Sequence, residues 1–135
     1  MTNTPLVQQA LSAMERAYAP YSGFHVGAAL LCADGTIYTG CNVENASYGA
    51  TNCAERTAFF KAVSEGHRKF TAIALCGGLG GDIRDFCPPC GVCRQVMREF
   101  CGDDFLIYLI GPGGQVNTCT LGQLLPGSFN ADSLT

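Results

Sequence analysis

The sequence predicts an α/β chain built as a three-layer α/β/α sandwich, a five-stranded mixed sheet with helices on both faces. Two observations carry this expectation. Asp34-Gly35 sits between two strand-like runs, Phe24 to Cys32 and Thr36 to Cys41, which is a strong hairpin signal. Further along, apolar Phe70 to Cys76, a helical stretch from Cys90 to about Cys101 and apolar Phe105 to Ile110 follow in strand–helix–strand order. That order calls for a right-handed parallel crossover. At 135 residues, 47% hydrophobic and 14% charged, the chain has the length of one domain, 1–135, and enough apolar surface to bury a core instead of staying disordered.

The elements follow in order. Thr4-Pro5 opens the first helix, with Thr4 as cap and Pro5 at the first helical position. Val7, Ala10, Leu11, Met14 and Tyr18 form its apolar face, and Pro20 stops it. After the hairpin, 42–52 is polar and reads as a loop. A second helix is expected from Asn52 to Glu65, with Ala54, Ala58 and Ala62 as a narrow stripe, Phe59, Phe60 and Val63 as bulk, and Gly66 as its stop. Phe70 to Cys76 is apolar on both faces, so it is expected at the centre of the sheet. Gly77-Gly78-Leu79-Gly80-Gly81 reads as a flexible loop, and no Lys-Ser/Thr follows it to make a phosphate site. The third helix is given Val92, Val96 and Phe100 as its inner face. Gly111-Pro112-Gly113-Gly114 is too short for a parallel return, so Val116 to Thr120 pairs antiparallel with the strand before it. Thr120 to Gln123 has the spacing of a capping box on a short last helix, which Pro126-Gly127 ends.

Composition narrows the partners. The net charge is −3 and the eight Lys and Arg are scattered, which opposes a nucleic-acid polymer as partner. No run of about 18 apolar residues spans a membrane, and no basic-then-apolar leader is visible, so a cytoplasmic protein is expected. Nine cysteines without such a leader argue against a disulfide framework. Cys32, Cys41, Cys76, Cys101 and Cys119 lie in or beside apolar segments and read as small core hydrophobes. Cys53, Cys87, Cys90 and Cys93 flank turns and helix starts, and they carry the chemistry.

Cys90 and Cys93 share one helix face in the first turn of a helix. Backbone N–H groups and the helix dipole there favour the thiolate that a metal needs. Cys53 repeats the arrangement at the start of the second helix. Three thiolates leave a tetrahedral zinc one position short, and that is where a catalytic zinc holds water. Glu55, two residues after Cys53, meets such an ion only off the helix end, where a carboxylate can move protons for the water. Zn²⁺ with three thiolates carries −1, so Arg56 or Arg94, each directly following a ligand segment, has a reason to bond the sulfurs; the adjacency favours Arg56. Other readings stay open at this level. Glu55 sits at capping-box spacing from Asn52. Cys87 with the other three cysteines would close a four-thiolate structural site, and Cys87-Pro88-Pro89-Cys90 has redox-pair spacing.

Cys53-Ala54-Glu55-Arg56-Thr57-Ala58 with Pro89-Cys90-Gly91-Val92-Cys93-Arg94-Gln95 resembles the small, zinc-dependent cytidine deaminase family. The parent signature is a ligand-x-Glu followed by Pro-Cys-x-x-Cys, here in a three-cysteine form. Tyr18 to Leu30, Gly40 to Tyr48 and Leu124 to Phe129 match it as well, so the resemblance is nearly full length. It implies zinc on Cys53, Cys90 and Cys93, with Cys87 not a ligand. It implies water as co-substrate, attacking C4 of cytosine, with Glu55 taking the proton, protonating N3 and helping ammonia leave. It places Asn42 and Glu44 on the ribose hydroxyls, and Phe24 and Ala54 beside the pyrimidine. It implies a homotetramer in which Ala46, Tyr48 and Phe129 serve a neighbouring subunit's pocket. The expected reaction is deamination of free cytidine and 2′-deoxycytidine, a step of pyrimidine salvage. A polynucleotide deaminase is opposed by the acidic balance and by the tight 111–114 turn. A deaminase of an antibiotic such as blasticidin S is the nearest enzyme rival, and a non-catalytic four-cysteine zinc protein is the rival of another class.

Overall fold

The structure, a computed structural model, describes residues 4–135. Helix α1 spans Thr4–Met14, α2 Ala54–Ser64, α3 Gly91–Phe100 and α4 Leu121–Leu124; strands are β1 Phe24–Cys32, β2 Ile37–Cys41, β3 Phe70–Leu79, β4 Leu106–Ile110 and β5 Val116–Thr120. The Thr4 side chain, expected as the first cap, lies outside what is described. Among the described residues no helix is long and apolar enough to cross a membrane.

The five strands form one sheet in the order β2-β1-β3-β4-β5. β3 is central, antiparallel to β1 and parallel to β4, and β4 pairs antiparallel with β5, as the connection lengths require. The alternation of side chains decides the layers. Ala28, Leu30, Ile73, Leu75 and Ile107 face α2 and α3. Ala29, Ala72, Ala74, Cys76 and Ile110 face α1. The result is the α/β/α architecture expected. Two glycines set how closely the helices approach. A Cβ on Gly27 would overlap the α1 backbone at Ala10 and Met14, and one on Gly40 would overlap the α2 backbone at Ala54 and Ala58.

Local chemistry was a sound guide where it was self-contained. The Asp34 carboxylate accepts the Thr36 amide at 3.0 Å and Gly35 has φ +94°, so the hairpin turns where predicted. Thr120 and Gln123 form both halves of the capping box on α4.

Several expectations need correction. α1 ends at Met14, not near Pro20: the amides of Glu15, Arg16 and Ala17 fold back onto Ser12, Ala13 and Met14. Tyr18 therefore leaves the helix face, and its backbone pairs with Val43. Fully buried Leu6 joins that face instead. β3 continues through Gly77, Gly78 and Leu79, so the loop is only a Gly80-Gly81 turn, both at positive φ. The two glycines inside the strand admit close neighbours: a Cβ on Gly77 would lie 3.0 Å from the Cys87 sulfur, and one on Gly78 would overlap the Asp82 backbone. On α3 the buried residues are Cys93, Met97 and Arg98; Val96 and Phe100 pack against the core as expected, while Val92 is exposed. Arg98 is accommodated because its guanidinium bonds Asp103 at 2.7 Å and the carbonyl of Leu125. Phe60 is half-exposed, whereas Phe59 is fully buried and packs on Phe70, Phe100 and Phe105.

Candidate active site

Three thiols from two helix starts converge. Cys53 is the N-cap of α2 and Cys90 the N-cap of α3, both with extended backbone, and Cys93 is the third residue of α3. All three sulfurs lie within 4.8 Å of one another. Cys53 to Cys90 is 3.7 Å and Cys90 to Cys93 is 3.4 Å. A tetrahedral zinc with Zn–S bonds of about 2.3 Å sets its sulfurs about 3.8 Å apart, so the donor set fits that ion. Cys93 is buried, Cys53 half-buried and Cys90 exposed, which leaves the cluster accessible from one side. Cys87 stands outside it. None of the nine cysteines forms a disulfide.

The thiol of Cys53 is biased toward the thiolate. Hydrogen bonding from Cys93, then from Arg56 and Cys90, pulls the Cys53 thiol down to about 5. The same contact raises the Cys93 thiol, which holds the shared proton. The Arg56 guanidinium reaches the Cys53 sulfur at 3.3 Å. Arg94 does not turn to the sulfurs. It bonds the carbonyls of Pro89 and Leu124, each at 2.8 Å, and so ties the entry of α3 to α4.

Glu55 is almost fully buried, and burial pushes its carboxyl up to about 7, with the charge of Cys53 adding to the effect. The capping-box alternative fails on geometry. Cys53, not Asn52, takes the cap position, and the Asn52 side chain is spent on Thr57.

Glu55 and the thiols of Cys53 and Cys90 open onto a cavity of about 180 Å³, with Asn42 and Ala54 also in its wall. Val26, Thr51, Asn52, Cys87 and Pro88 line it too. None of these was named as a pocket residue from the sequence. Asn52 and Thr51 were signalled only by lying next to Cys53, and Val26 only by its place in β1. Burial holds the Cys87 thiol up to about 11, so it stays protonated in that wall.

The remaining expected residues are placed as follows. Asn42 is buried and clamps the edge of β1: its Oδ1 accepts the Val26 amide at 2.9 Å and its Nδ2 donates to the Phe24 carbonyl at 2.8 Å. Glu44 accepts from the amides of Tyr21 and Ser22 and from the Ser22 hydroxyl, which hold its carboxyl below the ordinary range. Phe24 lines an adjoining cavity of about 160 Å³, and Cys87 stands in the wall of both. Ala46, Tyr48 and Phe129 do not line the cavity within this chain; Tyr48 is 76% and Phe129 60% exposed.

Residues 2–109 match the family model described as the cytidine and deoxycytidylate deaminase zinc-binding region. A cytidine deaminase of Sporosarcina psychrophila is 51% identical over 96% of this chain and 93% of its own. A cytidine deaminase of Halalkalibacterium halodurans is likewise 51% identical, over 99% of this chain and 98% of its own. A crystal structure of cytidine deaminase from Burkholderia pseudomallei superposes with a TM-score of 0.87 at 48% identity, covering 96% of this chain and all of that one.

Proposed function

The chain belongs to the cytidine and deoxycytidylate deaminase family, and on that footing we propose that it hydrolyses free cytidine and 2′-deoxycytidine to uridine and 2′-deoxyuridine with release of ammonia. The observation that carries the proposal is a three-thiol cluster, two of whose members, Cys53 and Cys90, open onto one cavity with a buried carboxyl poised near neutrality.

Cys53, Cys90 and Cys93 would hold zinc, which when bound would supply the Lewis acid that makes water a nucleophile at neutral pH. Glu55 accepts a proton from the attacking water, delivers it to N3 of the base and assists the departure of the amino group as ammonia. A carboxyl near 7 can perform both the taking and the giving. Arg56 offsets the surplus charge of the thiolates through its bond to Cys53. Ala54, fully buried in the cavity wall, leaves room for the flat base, and Phe24 borders it from the adjoining cavity.

Asn42 and Glu44 have spare capacity for the ribose. The Asn42 amide retains a second N–H, and the Glu44 carboxylate, with three donors already bound, retains an acceptor position. Ala46, Tyr48 and Phe129 reach the pocket of a neighbouring subunit in a homotetramer. The exposure of two aromatic side chains supports that part of the proposal.

Purified protein incubated with cytidine, with ammonia release and zinc content measured together, tests the reading. Ammonia with about one catalytic zinc per chain is expected. Zinc without ammonia from either nucleoside would overturn it.

A further inference from the structure

A second constellation of ligand atoms lies at the other end of α2, away from Cys53. We propose that Cys32, Asp34 and His67 form a binding site for a divalent cation of the zinc class, distinct from the three-cysteine cluster. Cys32 Sγ, one Asp34 carboxylate oxygen and one His67 ring nitrogen all lie within 4.8 Å of one another.

The spacing suits an ion. His67 Nε2 and Asp34 Oδ2 are 3.2 Å apart. Nitrogen and oxygen ligands at about 2.0–2.1 Å around a tetrahedral ion stand about 3.3 Å apart. Sulfur and nitrogen ligands stand about 3.6 Å apart, so Cys32 needs to close by up to about 1.2 Å.

Each ligand is also held from behind. The Tyr38 hydroxyl lies 3.3 Å from His67 Nδ1, and the two rings pack edge to face at 5.2 Å. With Nδ1–H directed at that oxygen, Nε2 is the bare nitrogen a metal takes. The other Asp34 oxygen is occupied by the Thr36 amide at 3.0 Å, which aims the carboxylate and keeps it ionised. Cys32 closes the same turn through its backbone, and the Ala33 amide bonds the Lys69 carbonyl at 2.9 Å, so hairpin and α2–β3 link are already in register. His67 and Asp34 keep one side open to solvent.

The chemistry narrows the ligand. A thiolate with an imidazole and a carboxylate selects zinc-type ions over calcium or magnesium, which prefer oxygen alone. Binding displaces the Cys32 thiol proton, so affinity rises with pH. The ion would staple the β1–β2 hairpin to the end of α2, on the far side of the fold from the deamination pocket.

The test is a zinc titration of reduced, metal-free protein against a competing chelator, counting ions per chain. Two tightly held ions are expected in the wild type. His67→Ala and Asp34→Asn, both outside the deamination pocket, should each leave one ion and unchanged ammonia release from cytidine. Cys53→Ser should lose the ion of the active site and keep the second. Circular dichroism of each variant checks that it is folded. One tightly held ion in the wild type, two in His67→Ala, or a second ion held only when free metal far exceeds protein would each overturn the proposal and leave only a surface His–Asp pair. Loss of deaminase activity in the wild type would strike the functional reading and leave this count unaffected.

Discussion

The sulfurs of Cys53 and Cys90 lie 3.7 Å apart although 37 positions separate them in the chain. Each residue caps a different helix, and the packing of α2 and α3 on one face of the sheet brings the two helix starts together.

Glu55→Gln separates holding the metal from moving protons. The variant should retain zinc and lose about 100- to 10,000-fold in turnover, the usual worth of a positioned acid–base group. Ammonia release beside metal analysis reads both. Near-normal turnover with zinc bound would remove Glu55 from the proposed mechanism.

Glu55 also gives a pH signature. Its carboxyl is raised from an ordinary 4.5 to about 7 because ionising it means burying a charge. The folded metal-free protein therefore holds this proton more tightly than the unfolded chain. Stability from this group is present below about 4.5 and is lost as pH rises through about 7. Urea unfolding of metal-free protein at pH 8 should find Glu55→Gln more stable than wild type, by up to about 3 kcal/mol. No difference at pH 8, or a difference that grows toward acid pH, would contradict it.

Arg56→Ala removes the donor to the Cys53 sulfur without touching a ligand. Zinc retention against a chelator, or turnover, should fall about 10- to 100-fold, as for other groups that orient metal ligands. Arg94→Ala should instead act on stability, since that side chain bonds the carbonyls of Pro89 and Leu124.

Cys87→Ser should leave the active-site zinc in place. Its thiol is kept protonated by burial and stands outside the cluster of three. Loss of that zinc in the variant would instead support a closed four-thiolate site.

Gly40→Ala links fold to site. The added methyl would meet the α2 backbone, with the Ala58 nitrogen 2.6 Å away, and α2 carries both Cys53 and Glu55. Overpacking of this kind costs about 1–3 kcal/mol. Both the melting temperature and the turnover should drop. Gly27→Ala, which pushes α1 instead, should lower the melting temperature while zinc is retained.

The chain of 135 residues carries its strands, turns and last helix in short-range signals. Asp34-Gly35, the Thr120 capping box and the apolar run that becomes β3 are each complete within a few residues, so the sequence by itself determined them. The Cys-x-Glu and Pro-Cys-x-x-Cys stretches were legible for the same reason: the ligand types and spacings are local. Tertiary structure decided the rest. Whether Glu55 is a capping residue or a buried acid depended on Cys53, not Asn52, taking the cap and on what buries the carboxyl. That Gly77 and Gly78 extend β3 depended on what packs over them, and that Arg98 rather than Val92 faces inward depended on Asp103 and Leu125 being there to receive it. Which cysteines meet was settled in the same way, because contacts between distant segments are made by the sheet that orders the helices and not by any spacing along the chain.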